Sequence, residues 1–246
     1  MITRDEFHKA FKAPGPVVLP VIHVLDAAQT DENIRILIGE GAAGCFLINH
    51  DFGPDAFLPI IRAMREAHPR LWLGVNFLAV TLRDAAPTLR RLASEGCKLD
   101  AYWADDARID ERAEHQPDAE VITAARVGWS GLYFGGTAFK KQRPVADNAL
   151  GPAARIAAQH MDVVTTSGAA TGVEAADTKI ETFRAAIGHR PLALASGITP
   201  ENARRYGQAD AFLVATGINR EGDFYRIDPA RLAALMTVTR QMGGAA

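Results

Sequence analysis

Cysteine is scarce in this chain. Cys45 and Cys97 are the only two, each in an apolar context and without metal-type spacing, so neither a disulfide scaffold nor a zinc site is encoded. A reducing, cytoplasmic setting is the simplest expectation. No window approaches the run of about 20 apolar residues that spans a bilayer, and the opening MITRDEFHKAFKAPGP has no signal-like apolar stretch. The chain therefore reads as neither exported nor membrane-inserted. Neither sign of charge dominates: 27 Lys and Arg stand against 29 Asp and Glu, a formal charge of -2, which marks no nucleic-acid partner and no anionic surface.

Several chemical signatures are missing too. No GxGxxG follows the first apolar run, which weakens a dinucleotide-binding reading. No HxH or HExxH pair is present, so no metal and no other cofactor is predicted, although His23, Asp51 and Asp105 leave a divalent metal open. No apolar run contains a lysine; Lys98 only abuts the N-terminal end of the fourth, the wrong face for a Schiff base in a barrel.

What is present is a rhythm. The 246 residues, 48% hydrophobic, match the roughly 250 of one closed α/β barrel. Eight apolar runs recur: Val17–Val24, Gly44–Asn49, Leu71–Phe77, Leu99–Trp103, Gly131–Gly135, Met161–Thr166, Leu192–Ala195 and Ala211–Ala215. Most lack polar alternation, as expected of parallel strands covered on both faces. Pro20 is expected to loosen the first.

Helix punctuation lies between the runs. Thr3 with Glu6 and Thr178 with Glu181 read as capping boxes, while Thr199–Pro200 and Asp228–Pro229 read as caps followed by proline in the first turn. Pro59 is expected to begin one helix, and Leu89 and Leu92 stripe another after Pro87. The fold class is α/β: a single (β/α)8 barrel over residues 1–246 with a short N-terminal helix closing its base. A doubly wound open sheet is the alternative.

Chemistry in such a barrel sits at the carboxyl ends of the strands. The last three strand ends carry TTSGAATG, SGITPEN and ATG, whose glycines and hydroxyls suit an anion held by backbone N–H groups. A capped helix after the seventh strand would add its positive end. Thr166, Ser167, Gly168, Thr171, Gly172, Ser196, Gly197, Thr216 and Gly217 are the candidate phosphate contacts. Lys140, with Lys141 and Arg143 in a long loop after the fifth strand, adds positive charge, and Trp103 offers an aromatic wall.

The candidate catalytic residues are His23, Asn49, Asp51, Asn76 and Asp105. His23 suits a general acid or base because a free imidazole titrates near neutrality, and Asp105 adjoins a second acid, Asp106, an arrangement that can keep one carboxyl protonated. Asn76 suits a polar substrate contact. Strand alternation sends either Asn49 and Asp51 into the pocket with His50 turned away, or the reverse. Asp51 equally suits a cap on the helix after Gly53.

DVVTTSGAATG, KIETFRAAIG, LALASGITPENARRY and DAFLVATG resemble the BtpA family, as do PVIHV, NIRILIGEGAAGCFLINHDF and LWLGVNFL in the front half. The resemblance covers most of the chain and is most specific in its back half. It implies a TIM-type barrel of the ribulose-phosphate-binding kind with a phosphate pocket. The family takes its name from a photosystem I biogenesis factor, and other members resemble enzymes of sugar metabolism. The family's proline- and glycine-rich first loop is represented only by LPVIHVLDAAQT.

Together these readings point to acid–base chemistry on a phosphate-bearing small molecule, as in an isomerase or lyase. The alternatives are a non-catalytic binding or assembly factor, or a nucleoside or phosphoribosyl hydrolase or transferase. A homo-oligomer is a prior from outer barrel helices.

Overall fold

In the computed structural model, which describes residues 1–243, the eight apolar runs form eight parallel strands closed in chain order. These are β1 (Val17–Val24), β2 (Gly44–Asn49), β3 (Trp72–Asn76), β4 (Ala101–Ala104), β5 (Leu132–Gly136), β6 (Val163–Ser167), β7 (Leu192–Ala195) and β8 (Ala211–Val214). The fold is therefore a (β/α)8 TIM barrel rather than an open sheet. Pro20 lies where β1 exchanges partners: Val17 to Pro20 pair with β8, and Val21 to Val24 pair with β2.

Alternation divides the core in two. Val21, Phe46, Ile48, Trp103, Phe134 and Leu213 belong to an inner cluster that fills the barrel, while Val18, Ile22, Leu47, Tyr102 and Phe212 pack outward against the helices. Helix α1 (Arg4–Phe11) precedes the barrel. Helices α2 (Ala27–Gly39), α3 (Pro54–Ala67), α4 (Leu82–Ser94), α5 (Pro117–Ala125), α6 (Leu150–Ala157), α7 (Asp177–Ile187) and α8 (Pro229–Gly243) follow every strand except β7.

Two expected caps are present. Thr3 and Glu6 form the box that starts α1, and Asp228 accepts the Ala230 N–H at 2.8 Å to start α8. Three other expectations are corrected. Helix α7 is capped by Ala176 with no side-chain bond, because it begins one residue before Thr178. Pro59 and Pro87 lie inside α3 and α4, where burial of Phe57, Ile61, Leu89 and Leu92 outweighs the roughly 3 kcal/mol cost of an interior proline. After β7 there is only a four-residue 3-10 turn, Ala203–Tyr206. Asn202 explains it: its Oδ1 accepts the Thr199 N–H at 2.9 Å and its Nδ2 donates to the Gly197 carbonyl at 2.7 Å, folding the chain into a tight loop before a helix can start.

The base is held by a device used three times. Asp100, Asp162 and Asp210 stand immediately before β4, β6 and β8. Each accepts the N–H of a residue in the preceding strand: Leu73 at 3.0 Å, Tyr133 at 2.8 Å and Leu192 at 2.9 Å. Each also takes an arginine from the helix before that strand or its C-cap, Arg65 of α3, Arg126 just after α5 or Arg184 of α7. The barrel thus repeats in (βα)2 units. Asp210, fully buried, further accepts Arg4 and His8 of α1. Burial alone would raise its pKa, but these bonds and the Leu192 N–H outweigh it and hold the carboxyl below its ordinary value. This anchors α1 so that Phe7, also fully buried, plugs the base beside Phe134.

Replacing Asp210 leaves two arginines without their buried counter-ion. Asp210→Ala should cost about 3 kcal/mol or more in urea unfolding. A loss under about 1 kcal/mol, the scale of an exposed pair, would show that the clamp is dispensable.

Candidate active site at the carboxyl ends of the strands

Above the inner core, the carboxyl ends of the strands surround a cavity of about 270 Å³. A larger groove of about 610 Å³ lies at the base, but its Arg62 and Arg65 are already paired with Glu95 and Asp100. The upper cavity brings together His23, Trp103, Asp105, Lys140, Thr171, Gly172, Ser196, Gly197, Thr216 and Gly217 from the candidate set.

One wall consists of backbone. The N–H groups of Gly197, Thr216 and Gly217 donate to no backbone carbonyl among the described residues. Ser196 and Gly197 are consecutive residues of positive φ, each 73°. The glycines are also required by packing. A β-carbon on Gly197 would stand 2.5 Å from the Val173 carbonyl oxygen, and one on Gly217 would stand 1.8 Å from that of Ile198. Gly172 closes the third side, where a β-carbon would stand 3.7 Å from Thr216 Oγ1, an ordinary contact. Lys140 Nζ donates to Ser196 Oγ at 2.8 Å, which brings a cation to this wall, and burial lowers its pKa.

Three predicted contacts lie elsewhere. Ser167 Oγ accepts the Lys140 N–H and donates to the Gly168 carbonyl, both at 2.8 Å, so its hydroxyl fixes the lysine's backbone. Thr166, next along the strand, points outward and donates to the Ala138 carbonyl at 3.3 Å. Gly168 packs against the backbone of Val173, where a β-carbon would be 2.1 Å from its carbonyl oxygen.

The titratable wall is opposite in character. His23 ends the inward-facing row of β1 and is 6% exposed. Its Nδ1 lies 2.9 Å from the Phe224 carbonyl oxygen. A carbonyl only accepts, so Nδ1 carries the proton and Nε2 keeps its lone pair. The Phe224 ring stacks on the imidazole, with centroids 3.8 Å apart. Burial, followed by the charge of His50, holds the His23 pKa down to about 4. Asp105 is shifted the other way. Burial raises its pKa above the ordinary carboxylate value, against the Asn76 Nδ2 donor at 3.0 Å and the charges of Lys140 and Lys141.

Of the two phases open for β2, the structure has the second. His50 enters the cavity, its ring 4.7 Å from that of His23. Asn49 is spent outside it, donating to the Phe52 carbonyl and accepting the Leu78 N–H at 3.1 Å. Asp51 accepts the Tyr225 hydroxyl at 2.7 Å, and the cap of α3 is Gly53. Ile48 and His50 continue the inward phase of Phe46, a phase that an unbroken apolar run does not reveal. Arg143 pairs with Glu111 at 2.7 Å, away from the cavity. Phe224, in the segment 215–228, escaped sequence reasoning altogether. Its only signal is an aromatic pair, Phe224–Tyr225, inside a long polar loop. Among the described residues no three His, Cys, Asp or Glu side chains form a metal-holding group.

No family model matches this sequence, and no curated protein matches it. Solved structures do. A structure described as native KDPGal superposes with a TM-score of 0.64 at 11% identity, over 92% of this chain and 95% of its own. Phosphoribosyl anthranilate isomerase from Thermus thermophilus gives 0.61 at 16%, over 92% and 99%. Tryptophan synthase subunit alpha from Legionella pneumophila str. Paris gives 0.60 at 17%, over 100% of both chains. At such identities these likenesses show the shared barrel fold and nothing finer.

The depressed His23 pKa has a thermodynamic consequence. Between about 4 and 6.5 the unfolded chain binds the proton that the folded chain refuses. Stability contributed by neutral His23 is therefore complete above pH 6.5 and lost as pH falls toward 4, by up to about 3 kcal/mol. Urea titrations across this window should show a shallower pH slope in His23→Gln. An unchanged slope would place the proton uptake on another group.

Proposed function

We propose that this protein is a barrel enzyme that binds a small phosphorylated sugar or sugar-derived metabolite and moves protons on it, as an isomerase or lyase does. The observation that carries the reading is the pairing of two unlike walls across one small cavity. The N–H groups of Gly197, Thr216 and Gly217, unpartnered among the described residues, suit a phosphate together with Lys140. His23, with an unprotonated Nε2, suits a base, and Asp105, whose pKa is raised, suits its acid partner. Phosphate held at one end supplies binding energy remote from the reacting carbons. His50 is placed to share the proton traffic. The proposed chemistry calls on no metal or other cofactor.

Size favours a small metabolite. At about 270 Å³ the cavity is slightly below the span of about 300–1,000 Å³ typical of drug-sized ligands. Trp103, 4% exposed and packed edge-to-face against Phe46 and Phe139, offers little free ring for stacking a base, which disfavours the nucleoside reading. An assembly factor would want one apolar docking patch. The large exposed apolar side chains, among them Leu25, Ile38, Val127 and Val173, instead come from separate elements. The phosphoribosyl group in the name of one fold neighbour is compatible with the reading. Kinship with the BtpA family is part of the proposal, carried by the sequence motifs of both halves and most specifically by those of the back half. A cytoplasmic setting is supported by the free, buried Cys45 and Cys97.

Binding to the folded state raises the melting temperature, so triose and pentose phosphates should each stabilise the protein where their unphosphorylated sugars do not. Lys140→Met should weaken inorganic phosphate about 10- to 100-fold, the scale of one charge-assisted contact. His23→Gln, which removes none of the proposed phosphate donors, should leave phosphate affinity within about threefold while abolishing turnover. No stabilisation by any phosphorylated compound at millimolar concentration would contradict the proposal.

A further inference from the structure

Beneath the two walls, two polar atoms on the inner face of the barrel have no partner among the described residues. They are the indole N–H of Trp103 and the side-chain oxygen of Asn76. Both residues are deeply buried, at 4% and 0% exposure. The ladder places them side by side: Gly74 pairs with Ala101 and Val75 with Tyr102, so the next inward pair is Asn76 on β3 and Trp103 on β4. Trp103 forms part of the cavity wall, and Asn76 hydrogen-bonds Asp105, which forms another part.

A buried polar group left unpaired costs free energy, and native interiors pair nearly all of theirs. Here the unmet needs are of opposite kinds, one donor and one acceptor. A carbonyl or carboxylate would serve only Trp103, and an ammonium only Asn76. A hydroxyl accepts and donates through one atom.

Resting on the phosphate reading above, we infer that Trp103 and Asn76 form a specificity floor that recognises a hydroxyl-bearing carbon at the end of the ligand opposite its phosphate. The proposed phosphate wall lies on β7 and β8 and the floor across the barrel on β3 and β4, with Trp103 lining the same cavity as Ser196 and Thr216. The substrate class narrows to small phosphate esters of polyhydroxy compounds. Deoxy or wholly carbonyl analogues would leave the floor unpaired, a penalty that hydrogen-bonding sites use for discrimination.

Isothermal titration with three probes tests this: inorganic phosphate, glycerol 3-phosphate and propyl phosphate, which lacks the hydroxyls. Glycerol 3-phosphate should bind at least about 10-fold more tightly than propyl phosphate, the scale of one buried hydrogen bond. In Trp103→Phe, which deletes the N–H but keeps an aromatic ring, that ratio should fall toward one while inorganic phosphate binds as before. Asn76→Ala carries the same readout independently of the indole. Equal affinity for the two esters in the unaltered protein, as expected if water fills the floor, would overturn the inference, as would a ratio that survives both substitutions. Failure of all three probes, inorganic phosphate included, would instead overturn the anion wall on which it rests.

Discussion

At Gly197 and Gly217 the backbone of one loop lies against that of the loop before it, and at Gly168 the loop after β6 folds onto its own backbone, all at distances that leave no room for a β-carbon. The contacts run in sequence around the mouth. Gly168 and Gly197 both meet the chain at Val173 and Glu174, and Gly217 meets Ile198. Glycine is needed here for approach more than for turning, although Gly197 also takes a positive φ. At the same wall the amides of Gly197, Thr216 and Gly217 have no hydrogen-bond partner among the described residues. The proposed anion wall is thus a by-product of loop packing. A larger side chain at Gly217 would push the loops apart before it touched any ligand.

The opposite wall depends on a different economy of bonds. His23 is kept neutral by burial and oriented by a single carbonyl from the segment after β8. That segment also carries Thr216 and Gly217 at its start. One loop therefore helps to form the anion wall, sets the tautomer of the proposed base and covers it with the ring of Phe224. Asn219 Nδ2 donates to the same Phe224 carbonyl at 2.9 Å, which braces the loop internally. Below, the Asp–Arg clamps fix strand ends at the base, so that the carboxyl ends above are held in register by a rigid frame.

Much of the frame was legible in the sequence, because a parallel barrel writes its strands as short apolar runs. β1, β2 and β7 fall at their expected bounds, and the rest within two residues. Helix starts were less legible where local chemistry competes with itself. Thr199–Pro200 looks like a helix start, yet Asn202 turns the same segment into a tight loop through bonds that no pattern announces. Pro59 and Pro87 look like boundaries, and tertiary burial overrides them. At the site, residue types were legible and directions were not. The strand phase that selects His50 over Asn49 and Asp51 is absent from an apolar run, and the hydroxyl of Ser167 looks like a ligand contact until its two internal bonds are seen. The clamp aspartates each follow an unremarkable residue and precede Ala or Val, so their repetition emerges only when the strands are aligned.

The central claim is that free amides at the ends of β7 and β8 hold one anion, and amide resonances report on it directly. Titration of inorganic phosphate followed by proton–nitrogen correlation spectra should move the signals of Gly197, Thr216 and Gly217 together, saturably and with one dissociation constant, while amides in the base clamps stay still. Unmoved signals at these three positions under saturating phosphate, or movement with three unrelated constants, would contradict the account.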